Sequence, residues 1–350
     1  MIKRRRTKEI NIGGVRIGAN NPIAVQSMAK TRTSDIDATV SQIKNLENAG
    51  CQIIRVAVKD ENDAIALKKI KSSINIPLVA DIHFDHKLAL KAIASGVDKL
   101  RINPGNIGSE EKVKAVVAAA KDRKVPIRIG VNSGSLQKDL LAKYGHPCPK
   151  ALVESALEHI KILERLKFRD IVISIKSTDV INTLGSYELL SKKVDYPLHI
   201  GITEAGIPGP GSIKSAAGIG AILSRGIGDT IRVSLTGDPV EEVKTAYEIL
   251  RSMGLYNKGV TIISCPTCGR LDYDMEKVVK EVISKTGHIT KPVKVAIMGC
   301  VVNGPGEAGE ADIALAGGKG QGILFRNGVQ LKKVSENDMV QELLKEIESF

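Results

Sequence analysis

A strand-like run followed by a helix-like one recurs eight times in the first 250 residues, and few folds accommodate that count. The runs cover 24–29, 52–58, 77–84, 100–103, 126–131, 170–176, 197–203 and 230–235. Between them lie segments rich in Ala, Leu and Lys, such as 35–49, 61–73, 109–123, 151–166, 212–224 and 240–253. Their apolar residues fall at helical spacing. Eight alternating units over about 240 residues match a (β/α)8 TIM barrel in number and length. A doubly wound open sheet is the competitor, but it rarely needs eight regular units. The one long step between strands holds 137–150, read as an insertion after the fifth strand.

A second unit begins near Gly259. Runs 260–264 and 294–298 read as strands, 275–285 as a helix, and 313–316, 322–326 and 329–333 as short strands. Asn327-Gly328 is a strong hairpin turn, and an amphipathic helix covers 338–349. The expected division is a barrel of residues 1–257 followed by a small α+β domain of residues 258–350, with three of the five cysteines in the second.

Lys and Arg number 51 against 39 Asp and Glu, a net charge of +12. Nucleic acid would be one partner for such a chain. Single-strand binders, however, rely on aromatic platforms, and six Tyr, four Phe and no Trp supply few. No apolar run approaches the roughly 18–20 residues that span a bilayer. The N-terminal Met-Ile-Lys-Arg-Arg-Arg-Thr-Lys has no apolar stretch behind it, so it reads as a solvated tail rather than a signal peptide. An odd number of cysteines without a secretory address points to thiols or metal ligands in a reducing compartment, the cytoplasm.

Strands of a parallel sheet covered on both faces are ordinarily near-continuous apolar runs. Here five of the eight carry a cation: Arg55, Arg101, Arg128, Lys176 and Arg232. Polar groups recur two or four residues away on the same face: Asn103 beyond Arg101, Ser234 beyond Arg232, Asn132 beyond Arg128, and Asp81 with His83. At the carboxyl end of a barrel that face is the mouth, where active sites sit. A single strand arginine is ordinarily half of a buried ion pair. Unpaired buried ions cost several kcal/mol each, and the nearby acids, Asp81 and Glu204, are too few to neutralise five. Converging cations want an anion, and Arg forks match phosphate oxygens. The Gly-rich loop 204–211 runs into a helix whose N-terminus offers a further phosphate position. The expectation is a small, multiply phosphorylated substrate.

A second constellation is Ser264-Cys-Pro-Thr-Cys-Gly269 with Met298-Gly-Cys-Val-Val-Asn-Gly-Pro-Gly-Glu307 downstream. The two-residue gap between Cys265 and Cys268 lets one turn present both sulfurs to one centre, and Cys300 follows a strand in a Gly-rich turn. A zinc ribbon would need another Cys or a His close to Cys300. Three thiolates without a fourth suggest an iron–sulfur cluster whose last iron is held by something other than Cys. Glu307 is the nearest carboxylate able to fold back. An incomplete zinc site and inert cysteines remain open on spacing alone; Cys51 and Cys148 read as structural.

These motifs, together with Val25-Gln-Ser-Met28, Ala80-Asp-Ile-His-Phe84, Leu100-Arg-Ile-Asn-Pro-Gly105 and His199-Ile-Gly-Ile-Thr-Glu-Ala205, resemble the bacterial 4-hydroxy-3-methylbut-2-enyl diphosphate synthases of isoprenoid biosynthesis. The resemblance spans nearly the whole chain and implies a TIM barrel joined to a small domain holding a [4Fe–4S] cluster. It implies reductive opening of 2-C-methyl-D-erythritol 2,4-cyclodiphosphate with electrons from flavodoxin or ferredoxin. Cys265, Cys268, Cys300 and Glu307 would be the cluster ligands. Thr203 joins the substrate-binding candidates Arg55, His83, Arg101, Asn103, Arg128, Asn132, Lys176, Arg232 and Ser234. A homodimer is implied, one subunit's cluster domain capping the other's barrel, and the short linker before Val260 marks the two-domain form. Glu204, Asp81 and His83 are the proton-donor candidates, with Glu204, expected to be buried beside cations, preferred. Two rivals stand beside this reading. One is a phosphate-binding transferase or aldolase barrel with a structural zinc module, and the other a nucleic-acid binder with a zinc knuckle.

Overall fold

The computed structural model describes residues 2–300, 306 and 309–350. A hairpin of β1 (Ile10–Ile12) and β2 (Val15–Ile17) precedes eight parallel strands: β3 (Ala24–Met28), β4 (Ile53–Ala57), β5 (Leu78–Asp81), β6 (Lys99–Ile102), β7 (Ile127–Asn132), β8 (Ile171–Lys176), β9 (His199–Ile200) and β10 (Thr230–Ile231). Neighbours in sequence pair from β3 to β8, and β10 pairs with both β9 and β3. A single bridge between Ile173 and Leu198 joins β8 to the approach to β9 and closes the ring. This is the eight-stranded barrel expected from the repeat.

The connecting helices are α1 (Ile36–Asn48), α2 (Glu61–Ser72), α3 (His86–Ala94), α4 (Glu110–Asp122), α5 (Lys138–Tyr144), α6 (Pro149–Arg165), α7 (Val180–Ser191), α8 (Pro210–Ser224) and α9 (Pro239–Ser252). The insertion after the fifth barrel strand supplies α5. Five helices start on an aspartate, Asp35, Asp60, Asp85, Asp179 and Asp238, whose carboxylate accepts a backbone N–H of the first turn. Each such cap is worth about 1 kcal/mol and fixes where the loop at the barrel mouth ends.

Alternation along the strands sorts their side chains into two sets. Outward residues such as Ile54, Val56, Leu78, Leu100, Ile127, Ile129, Ile171 and Ile173 pack into the main core with the helices. Inward, only the lowest layer is apolar. Ala24, Ile53, Val79 and Val172 pack there against Ile10, Ile12 and Ile17 of the hairpin, which plugs the amino-terminal end of the barrel. Above that layer the interior turns polar.

The basic N-terminus is not the solvated tail that its composition suggests. Arg5 donates to the carbonyls of Ser191, Val194 and Tyr196, and Arg4 to those of Asn21 and Gly228 and to Asp229 Oδ1. The backbone N–H of Arg5 donates to Gly226 O and that of Lys8 to Asp195 O. These guanidinium groups cap the strand-side loops at the closed end, a use that charge counting cannot distinguish from solvation.

The second compact unit, Asn257–Phe350, follows the first, Met1–Tyr256. Its sheet runs β11 (Val260–Ser264), β12 (Val293–Met298), β13 (Ile313–Gly318), β14 (Gln321–Arg326), β15 (Val329–Ser335), the first three parallel and the last two antiparallel. Helices α10 (Met275–Thr286) and α11 (Met339–Ser349) bury Val278, Val282, Leu343 and Ile347 in one core with Val295, Ile297, Ile313, Leu315 and Leu324.

Replacing Arg5 by Ala leaves three carbonyls without their donor and should cost about 1–3 kcal/mol of unfolding free energy. Arg6→Ala, at an exposed position, should stay within about 0.5 kcal/mol of wild type. Denaturant midpoints measure both; equal, negligible losses would restore the solvated tail.

Candidate active site

Register decides what the barrel mouth contains. Arg55 pairs in register with Met28 and Val79, Arg101 with Asp81 and Arg128, and Lys176 with Asn132. All therefore point inward. Arg55, Asp81, His83, Arg101, Arg128, Asn132, Ser174, Lys176, Thr203, Arg232 and Ser234 line one cavity of about 210 Å³. Ten of these were named from the sequence; Ser174, two residues before Lys176 on the same strand face, was not.

Two candidates fall outside that wall. Asn103 is buried and accepts the Gly130 N–H at 3.0 Å, so it braces β7. Glu204 is exposed, in a loop where its backbone takes φ +51. It is not buried beside the cations as expected, and the Gly-rich loop 204–211 contributes nothing to the cavity lining.

The cations divide by their partners. Asp81 Oδ1 accepts from Arg101 Nη1 at 3.0 Å, and its Oδ2 lies 3.5 Å from Arg55 Nε. Arg55 also points Nε and Nη2 at Met28 Sδ. Arg232 meets Glu242, a buried carboxylate of α9 that also accepts from Ser27 Oγ and the Leu235 N–H. Glu242 went unnoticed in the sequence because it reaches the site from a helix, where an acidic first-turn residue is ordinarily a solvated one. Arg128 is 1% exposed; its Nη1 reaches Ser174 Oγ at 3.3 Å, while Nε and Nη2 have no partner among the described residues. Lys176 is 6% exposed and makes no hydrogen bond or ion pair among the described residues. Five cations thus face two carboxylates.

Glycine makes this crowding sterically feasible. A Cβ on Gly130 would sit 2.4 Å from Arg101 Nε, and one on Gly201 would sit 2.9 Å from Lys176 Nζ and 2.4 Å from the Arg232 carbonyl. Both positions face inward, where any side chain would displace a cation.

Electrostatics follow from the geometry. Burial alone would raise the Asp81 pKa, but Arg55, Arg101 and Arg128 outweigh it and hold the group at about 2. Burial, then the fields of Arg55 and Arg101, push Arg128 well below its ordinary value. Burial and four neighbouring arginines do the same to Lys176. His83 is half-exposed, and burial followed by Arg101 lowers it. Arg101 Nη1 lies 2.9 Å from His83 Nε2, and a guanidinium can only donate, so this nitrogen accepts and the ring is neutral.

Beneath the cavity lies a buried polar layer, of which the strand boundaries drawn from sequence leave out Lys99 alone. Lys99 Nζ reaches Gln26 Oε1 at 3.3 Å, and His199 Nδ1 meets Thr230 Oγ1 at 2.8 Å. Lys99 stands two residues before Arg101, so alternation carried one step further would have found it.

In the second unit, adjacent strands β11 and β12 end together, Ser264 opposite Ile297, and place Cys265 and Cys300 at one edge of the sheet. The Gly299 N–H donates to Cys265 Sγ at 3.3 Å, and Met275 Sδ lies 3.7 Å from that sulfur. Cys268 is exposed and all three thiols are free of disulfides. Among the described residues no group of three or more His, Cys, Asp or Glu is gathered tightly around a single point as one metal ion requires. A soft, all-sulfur donor set with a backbone N–H aimed at a sulfur fits an iron–sulfur cluster, which spreads its ligands more widely than one ion does. Glu307 lies outside the described residues.

Asp81→Asn removes a carboxylate whose pKa is lowered from 3.8 to about 2. The depressed value stabilises the fold above about pH 4 by about 2 kcal/mol, and that contribution fades as pH falls through about 2. Unfolding measured from pH 7 to pH 2 should show the gap between wild type and variant narrowing over the acid limb. A constant gap would mean that charge pairing does not hold Asp81.

The model of the GcpE TIM-barrel domain matches residues 7–247, and that of the GcpE protein C-terminal domain residues 261–349. The 4-hydroxy-3-methylbut-2-en-1-yl diphosphate synthase (flavodoxin) of Clostridium perfringens is 59% identical over 349 residues, covering 100% of both chains. That of Caldanaerobacter subterraneus is 61% identical over 100% of this chain and 99% of its own. Among solved structures, the dihydropteroate synthase of Stenotrophomonas maltophilia aligns with a TM-score of 0.51 at 14% identity, over 71% of this chain and 98% of that one, a likeness of fold alone. With both domain models and full-length relatives in agreement, the chain belongs to the GcpE family, whose members named here are 4-hydroxy-3-methylbut-2-en-1-yl diphosphate synthases.

Proposed function

We propose that the cationic cavity seats 2-C-methyl-D-erythritol 2,4-cyclodiphosphate and that the chain is the iron–sulfur oxidoreductase that opens it reductively to 4-hydroxy-3-methylbut-2-enyl diphosphate. The observation that carries this reading is Arg128, deeply buried with two guanidinium N–H directions unanswered among the described residues, in a wall that holds five cations and one carboxylate, Asp81, with Glu242 behind Arg232. Such a wall is costly when empty and is stabilised by an anion with several phosphate oxygens. The cyclic diphosphate, a dianion, meets that demand.

Arg128, Lys176 and Arg232 bind the phosphate oxygens, and Arg55 and Arg101, oriented by Asp81, complete the charge around them. Ser234, Asn132 and Thr203 supply uncharged donors at the rim. Asp81, at about 2, is a carboxylate at neutral pH and orients arginines rather than giving a proton. Neutral His83 accepts from Arg101. Glu204, adjacent to Thr203, is the group free to deliver a proton from outside the wall. The ring opening consumes two electrons and two protons, breaks a C–O bond to phosphate, and releases the displaced hydroxyl oxygen as water.

Cys265, Cys268, Cys300 and Glu307 would hold a [4Fe–4S] cluster, which when bound would supply one-electron redox chemistry. The electrons come from flavodoxin or ferredoxin. The enzyme works in the cytoplasm as a homodimer, one subunit's cluster domain serving the other's barrel. Among the described residues no helix is long and apolar enough to cross a membrane.

Anaerobically purified protein should show the broad absorption near ~400 nm of iron–sulfur charge transfer. Arg128→Ala should keep that band while transition-state binding falls by ~2–5 kcal/mol, read as kcat/KM for the cyclic diphosphate. Colourless protein holding stoichiometric zinc, or an Arg128 variant with unaltered kinetics, would contradict the reading. For the dimer, Arg128→Ala and Cys300→Ser chains mixed under conditions of proven exchange should regain activity. No recovery would place each complete site within one chain.

A further inference from the structure

At the seam between β8 and β9 a side chain from outside the barrel stands in the ladder. Between β8 and β9 the Ile173 N–H donates to Pro197 O at 3.0 Å. The next rung of a parallel ladder would join the Ile175 N–H to the carbonyl of His199. The hydroxyl of Tyr187, from α7, stands between them instead. It accepts from the Ile175 N–H at 3.1 Å and donates to His199 O at 2.6 Å. One rung higher the Thr203 N–H reaches Ser177 O at 3.4 Å. Tyr187 is fully buried and enters from outside the barrel. Its helix is tied to the same strand end, since the Ser177 N–H donates to Thr183 Oγ1.

This seam borders the cavity. Lys176 follows Ile175 on one side, and Thr203 lines the cavity on the other. The Lys176 ammonium lies against the bare Cα of Gly201, so close that a Cβ there would meet Nζ at 2.9 Å. A direct rung would need one N–H···O span; the phenol inserts two. The strands are therefore held apart at the height where Lys176 projects inward.

We infer that Tyr187 is a positioning residue for anion binding: its hydroxyl wedges the β8–β9 seam open and thereby sets where the Lys176 ammonium stands. The inference rests on the reading of the cavity as the cyclic diphosphate site. Tyr187→Phe keeps the ring in its pocket and removes both hydrogen bonds. The seam then either leaves an N–H and a carbonyl unanswered or closes and carries Lys176 with it. Either way the hydroxyl no longer fixes the spacing of the seam, and the ligand meets a cation that is displaced or less firmly placed.

Titration calorimetry with the cyclic diphosphate, on cluster-loaded wild type, Tyr187→Phe, Lys176→Met and the double variant, tests this. Tyr187→Phe should weaken binding on the order of ten-fold, the scale of a modest misplacement. In the Lys176→Met background the same change should cost little, because the residue it positions is gone. Independent, multiplicative losses, or unaltered binding by Tyr187→Phe, would overturn the positioning role. Amide exchange of wild type gives a second readout that needs no variant. Ligand should slow the Ile175 N–H, at the phenol, more than the Ile173 N–H below it; equal slowing would overturn the inference. Failure of wild type to bind the cyclic diphosphate would instead refute the site assignment on which the inference stands.

Discussion

Uncompensated positive charge inside a closed barrel is the constraint around which the rest of this chain is arranged. A barrel interior is ordinarily filled by branched aliphatic side chains in layers. Here that filling survives in the lowest layer alone, where the hairpin packs against it. Above it, arginines and a lysine from five strands share one space with a single carboxylate, Asp81, while Glu242 of α9 meets Arg232 from beyond the cavity lining. Arg101, Arg55 and Arg232 are each steadied by a carboxylate; Arg128 and Lys176 are not, among the described residues.

Sustaining such an interior needs compensating stability elsewhere, and the structure shows where it lies. The outward strand faces are almost wholly aliphatic and pack against the helices. The N-terminal segment, with its own arginines answered by carbonyls at the closed end, binds the first strands to the last. Aspartate caps at the open end end the loops at defined points without adding neutral bulk to the mouth. The polarity of the two ends is thus opposite: apolar and sealed below, charged and accessible above.

Much of this was legible in the sequence. The eight-fold repeat sets the barrel, and cations placed at alternating strand positions set the cavity wall, because both depend on short-range periodicities that a single chain displays. What escaped depends on approach from elsewhere. Glu242 arrives from α9, Tyr187 from α7, and the arginines of the tail meet carbonyls far along the chain. Glu204 shows the converse error. Its place after a strand suggested burial, yet a left-handed backbone turns it to solvent. Asn103 shared a strand face with Arg101 but spends its oxygen on a backbone N–H of the next strand.

The central claim is that the charge imbalance exists for a diphosphate, and a crystal structure of the cluster-loaded protein with the cyclic diphosphate tests it most directly. The account predicts phosphate oxygens within hydrogen-bond distance of Arg128 Nε or Nη2 and of Lys176 Nζ, with Asp81 still on Arg101. A ligand bound elsewhere, with the Arg128 N–H groups still unanswered, would contradict it.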